Sequence, residues 1–179
     1  LAYAFGISGS KKYVDEFRNQ VIDFVIHNPP RFGIHWKSAM DVAIRMTNIL
    51  IAYDLFACLE VKFDHSFAKL LAATAIDHAR HIVANRERRL LSHSNHFLAE
   101  LAGLTFCGFY LRSTDFGRNW MTRGLDALSK EAFNQFHPDG SNIEGSVHYH
   151  RLASEIIMTT FAFARSAGIE LPQGLARQL

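Results

Sequence analysis

Ser94–Leu111 reads SNHFLAELAGLTFCGFYL, and this stretch decides the fold. From Asn95 onward its apolar side chains fall on every side of a helical projection instead of along one stripe, which is the pattern of a helix enclosed by other helices. Gly103 and Gly108 take away the Cβ where neighbours would approach closely. The segment therefore belongs to an inner layer. Working outward, Ala39, Val42, Ala43, Met46, Leu50 and Tyr53 recur at i, i+3, i+4 spacing, with Asp41 and Arg45 placed as a favourable i, i+4 pair. The same periodicity predicts helices at about 10–27, 37–60, 65–88, 94–112, 117–136 and 145–167. Turn residues separate them at Asn28-Pro29-Pro30, Ser92-His93-Ser94, Asp115-Phe116-Gly117 and Pro138-Asp139-Gly140. No strand-like alternation competes.

Short connections make successive helices antiparallel, so the helices that begin near residues 37, 94 and 145 point the same way and start on one face. Stacked hairpins of this kind form solenoids or closed toroids, and no tetratricopeptide, ankyrin or HEAT consensus recurs at a fixed period. The 179 residues are 49% hydrophobic and 20% charged, which fits one packed helical domain over residues 1–179 and excludes disorder. Nineteen basic against 17 acidic residues leave a net charge of +2, which argues against a dedicated nucleic-acid binder. Cys58 and Cys107 each sit in an apolar run without CxxC spacing and read as core thiols. No apolar run is long enough for a membrane span, and no basic and apolar leader opens the chain, which looks cut from something longer.

Three unusual segments fall at the shared end of the co-directional helices: His35-Trp36, Ser94-Asn95-His96, and Glu144-Gly145-Ser146-Val147-His148-Tyr149-His150-Arg151. Helix N-termini sum to a positive potential there, and their free N–H groups favour an anion. The turn Asn85-Arg86-Glu87-Arg88-Arg89 should add cations nearby. Each piece also has a plain structural reading. Ser94 and Asn95 are good N-cap residues, the arginine turn complements a helix dipole, and Trp36 is core-like, although a tryptophan at a cleft rim stacks on sugars. Capping and packing do not account for the His-Tyr-His cluster beside a glycine. The pairs His78/His81 and His93/His96 have i, i+3 spacing, but no HExxH motif or third ligand accompanies them, so neither a metal nor a cofactor is expected.

Through GIHWKSAMDVAIRMTNILIAYDLF (Gly33–Phe56), SNHFLAELAGL (Ser94–Leu104) and FHPDGSNIEGSVHYHRL (Phe136–Leu152), the chain resembles the heparinase II/III-like polysaccharide lyases, which include alginate and oligoalginate lyases. The resemblance implies an all-α fold, an incomplete (α/α) toroid of antiparallel helical hairpins. It also implies a C-terminal β-sandwich that lies outside this chain and supplies a further catalytic histidine. It assigns Asn95 to neutralising a uronate carboxylate, His96 to assisting it, and Tyr149 to proton transfer. Trp36, Glu144, His150 and Arg151 are expected substrate contacts.

The implied chemistry suits those residue types. β-Elimination removes the C5 proton of a uronate and expels the C4 glycosidic oxygen, and amide and imidazole donors stabilise the enolate-like state between. A phenol, with an ordinary pKa of ~10, acts as base only where positive charge stabilises its phenolate, and in its neutral form it protonates the leaving oxygen. The expected function is therefore cleavage of a uronate glycan such as alginate or heparan sulfate, in the periplasm or outside the cell. The alternative is a non-catalytic helical scaffold or glycan-binding relative. The expected partner is an acidic polysaccharide, with neither nucleic acid nor membrane. An open toroid would expose apolar flanks, so self-association and weak activity are expected of these residues alone.

Overall fold

The computed structural model describes residues 1–86 and 93–169. Among them are helices α1 (Ala2–Ser8), α2 (Lys12–His27), α3 (Ala39–Cys58), α4 (His65–Ala84), α5 (Asn95–Tyr110), α6 (Asp115–Gln135) and α7 (Val147–Ser166). A single 3₁₀ turn, Ile34–Trp36, leads into α3. The described residues contain no β-strand, only one isolated bridge between Phe136 and Asn142. The chain is all-α, an open arc of an (α/α) toroid.

Six of the seven helices are those the periodicity predicts, and the extra one, α1, is seven residues long, too short to show a repeating stripe. It closes on Gly9 at φ 65°, whose N–H donates to the Phe5 carbonyl at 2.7 Å, and Phe5 packs on Phe56 with ring centroids 5.8 Å apart. Helix α4 ends at Ala84, short of the expected residue 88: Asn85 closes it, its N–H donating to the His81 carbonyl at 3.0 Å, Arg86 is not helical, and residues 87–88 lie outside the described residues. Side chains set the starts of α3, α4 and α6: Ser38, Asp64 and Thr114 each accept a backbone N–H from the first turn.

The helices alternate in direction. Trp36, before α3, packs against the rings of His78 and His81 near the end of α4, while Tyr53 near the end of α3 meets Phe67 near the start of α4. Helices α3, α5 and α7 are therefore co-directional, because Tyr53 also meets Tyr110 at the end of α5, and Phe106 and Phe109 meet Phe163 at the end of α7. Helix α5 is the centre. Twelve of its residues, from Asn95 to Gly108, are buried, as the all-round apolar pattern requires. At Gly103 a Cβ would come within 2.6 Å of the Ala43 Cβ, so α3 and α5 cross in near backbone contact there. A second close crossing brings Gly124 of α6 against Thr105.

Two expectations fail in this core. Cys107 is fully buried, and burial pushes its thiol up to about 12, but Cys58 is exposed because it is the last residue of α3, where the buried face runs out. Arg45 does not pair with Asp41. Its guanidinium turns inward over the Phe24 and Trp36 rings, 4.6 and 5.3 Å from their centroids, and its Nε donates to His78 Nε2 at 3.2 Å. Burial lowers the Arg45 pKa, and the charge of Asp41 partly opposes that shift.

Candidate functional site

The segment that joins α6 to α7 is folded back on itself. His137 N donates to Ser141 O at 2.8 Å, Ile143 N to Gln135 O at 3.0 Å, and Glu144 N to the Asn142 side-chain oxygen at 2.9 Å. This last bond is an Asx turn, and Gly145 completes it at φ 63°, a left-handed value that glycine adopts without strain. The turn brings Glu144 to the start of α5. Glu144 Oε1 accepts from the Asn95 backbone N at 2.8 Å and from Asn95 Nδ2 at 2.9 Å, and Oε2 lies 3.0 Å from the same Nδ2. The capping reading is thus replaced by a long-range one. Neither Ser94 nor Asn95 caps α5 through its own side chain; a carboxylate from 49 residues away satisfies the first N–H.

A second carboxylate holds the residue before the helix. Glu131, only 4% exposed near the end of α6, lies with both oxygens 3.0 Å from His93 Nδ1 and takes Gln135 Nε2 at 2.9 Å. Because Nδ1 faces a carboxylate, it carries the proton, and Nε2 is left as the second ring nitrogen. The sequence reading passed over Glu131. Its signal was present, since Leu128, Glu131, Ala132 and Gln135 follow i, i+3, i+4, i+7 and place an acid on the buried stripe of α6.

Asn95 is 4% exposed, and Tyr149, in the first turn of α7, is 43% exposed with its ring edge-on to His148. His96 is exposed on the second residue of α5. His150 is exposed with its ring edge against Phe136 at 5.5 Å, and Arg151 is exposed and pairs with Glu155 at 3.4 Å. The starts of α5 and α7 are therefore drawn together through Glu144, and the residues named from the sequence gather on these two helix starts.

Trp36 does not join them. It is 4% exposed, its Nε1 donates to the Asn28 carbonyl at 3.1 Å, and its faces are covered by His78, His81 and Arg45, so it is a core residue and not a sugar platform. Glu144, named from the sequence as a substrate contact, engages Asn95 with both oxygens. Of the arginine turn, Glu87, Arg88 and Arg89 lie outside the described residues. His78 and His81 line the Trp36 pocket, and among the described residues no three His, Cys, Asp or Glu side chains are grouped to hold a metal ion. No helix among them is long and apolar enough to cross a membrane.

A family model described as Heparinase II/III N-terminus matches residues 1–179. The chain belongs to this family. A heparin-sulfate lyase of Bacteroides stercoris is 24% identical over 97% of this chain, which spans 28% of that protein's length. The solved structure of a heparinase III gene product with methylated lysines superposes with a TM-score of 0.68 at 24% identity, over 99% of this chain and 30% of the other. At that identity the superposition establishes the shared helical fold. The chain thus covers a minor part of the length of both relatives.

Proposed function

We propose that this chain forms the helical wall of a polysaccharide lyase site that cleaves a uronate-containing glycan of the heparan sulfate or alginate type by β-elimination. The observation that carries the reading is the α5–Glu144–α7 junction, which brings the start of the helix bearing Asn95 and His96 together with the start of the helix bearing the half-exposed Tyr149. The α5 N-terminus is met by the Glu144 carboxylate, whereas the Ser146 side chain makes no capping bond to α7, whose N-terminal dipole favours an anionic sugar. The matches to a heparin-sulfate lyase and a heparinase III support the same substrate class.

In the reaction, a base removes the C5 proton, the bond from C4 to the glycosidic oxygen breaks, a C4–C5 double bond forms, and the departing oxygen takes a proton. Asn95 and His96 donate to the uronate carboxylate and so stabilise the charge that builds up on it as the C5 proton leaves. Tyr149 transfers the proton. An extracellular or periplasmic site of action follows from a polymeric substrate of this kind. Because the chain spans less than a third of its relatives, we propose that sequence beyond these residues, a β-sandwich with a histidine, supplies the facing wall.

The test is an ultraviolet absorbance assay for the unsaturated uronate product, using the full-length gene product on heparan sulfate, heparin and alginate, with the 179-residue segment in parallel. Absorbance should rise with the full-length protein and stay weak with the segment. No rise on any uronate glycan would leave the non-catalytic glycan-binding reading in its place.

A further inference from the structure

We propose that Glu144 is a positioning residue that sets the orientation of the Asn95 side-chain amide. The proposal deepens the lyase reading, and only its kinetic arm rests on that reading. The oxygen and nitrogen of an asparagine amide are alike in shape, so the partner decides which way the group faces. A carboxylate only accepts, so the NH₂ edge of Asn95 must face Glu144 and Oδ1 must face away. Distances of 2.9 and 3.0 Å from one Nδ2 to the two oxygens mean that one N–H is shared between them, and the second N–H of the planar group points about 120° away from it. That remaining donor is the one suited to a substrate carboxylate.

The clamp is itself held in place. Glu144 N donates to Asn142 Oδ1 at 2.9 Å, Gly145 N to Asn142 O at 3.1 Å, and Asn142 is buried beside its bridge to Phe136. The backbone therefore presents the carboxylate to Asn95 before any ligand arrives, and a donor oriented in advance loses little on binding. Without Glu144, rotation about the last side-chain bond would leave the amide free to turn either edge outward, and a bound anion would have to orient it at the cost of that freedom.

The test has two arms, both with Glu144→Ala, Glu144→Gln, Asn95→Ala and the Glu144→Ala/Asn95→Ala pair. The first uses the 179-residue chain with ¹⁵N-labelled asparagine and follows the Asn95 side-chain NH₂ signals, assigned by their loss in Asn95→Ala. The proposal expects two well-separated, exchange-protected protons in the parent chain. They should collapse toward free-amide positions and exchange at least ~10-fold faster in Glu144→Ala, with Glu144→Gln largely restoring them because its carbonyl still accepts. Unchanged signals in Glu144→Ala, with the chain still folded by circular dichroism, overturn the proposal.

The second arm measures elimination by the full-length protein. Glu144→Ala should lower kcat by about 10- to 100-fold with little change in KM, and should add nothing in the Asn95→Ala background, because a misplaced donor acts only through Asn95. An equal further loss in that background overturns the proposal, since Glu144 would then act on its own. If the parent protein eliminates no uronate glycan, the lyase reading fails, and the amide signals alone decide the role of Glu144.

Discussion

Asn95→Asp changes almost nothing in shape and reverses the meaning of the Glu144 contact. Where an N–H₂ group now meets two carboxylate oxygens at 2.9 and 3.0 Å, a second carboxylate would face the first. Two unit charges about 3 Å apart repel by about 5–6 kcal/mol at the effective dielectric of ~20 that suits a half-buried pair. The pair escapes by taking up one proton, which at pH 7 costs a carboxyl of ordinary pKa ~4 about 4 kcal/mol. Proton uptake is the cheaper route, so it sets the ceiling, and the expected loss of stability at pH 7 is about 3–4 kcal/mol. The shared proton is bound more tightly in the folded chain than in the unfolded one. The loss should therefore nearly vanish below pH ~4.5 and grow by about 1.4 kcal/mol per pH unit above it. Urea denaturation of parent and variant at pH 4.5, 6 and 7.5, followed by circular dichroism with the slope checked for constancy, measures the difference. Equal stability within about 0.5 kcal/mol at pH 7.5, or a penalty independent of pH, would refute the placement of Glu144 against Asn95.

Gly103→Ala gains about 1 kcal/mol of helix propensity, but its Cβ would lie 2.6 Å from the Ala43 Cβ, and forcing α3 and α5 apart costs about 1–3 kcal/mol. The net loss of up to about 2 kcal/mol should lower Tm in calorimetry by up to roughly 8 °C, and a rise would contradict the crossing. His78 is wholly buried, with Nδ1 on the Thr74 carbonyl at 2.8 Å, and burial lowers its pKa to about 3. Its folded pKa is below the unfolded value of ~6.5, so the unfolded chain binds the extra proton between pH 6.5 and 3, and stability should fall by up to about 1.4 kcal/mol per unit as pH drops through that window. His78→Gln should flatten that slope in pH-dependent denaturation, and an unchanged slope would place its origin elsewhere. Tyr149→Phe removes a half-exposed hydroxyl without disturbing the core, so turnover of the full-length protein should fall by ~10² to 10⁴ while its melting curve stays put. A near-normal rate would assign proton transfer to another group.

The local rules carried far along this chain. An apolar stripe is a property of neighbours three and four residues apart, so α3 was legible from Ala39, Val42, Ala43, Met46 and Leu50, all of which are buried. The enclosure of α5 was legible because polar side chains are absent from most of its surface, and the alternation of direction followed from short connections. The placement of Asn95, His96 and Tyr149 at two helix starts was legible too, because it follows from the helix boundaries. Trp36 was misread because a tryptophan next to a loop looks the same whether its ring turns to solvent or under His78 and His81. Cys58 was misread because an apolar run does not show on which turn the buried face ends.

The sequence by itself determined the helices, their order and their inner or outer character, since these depend on side-chain periodicity and turn residues within a few positions of one another. Only the tertiary structure decided which polar groups meet. Arg45 turns from Asp41 to His78 because α4 brings a ring nitrogen to it, while Phe24 of α2 and Trp36 before α3 bring two aromatic rings that a surface aspartate cannot match. Asn95 is held by Glu144, and His93 by Glu131, because folding closes chain separations of 49 and 38 residues, and hydrogen bonds depend on tenths of an ångström that no local spacing specifies.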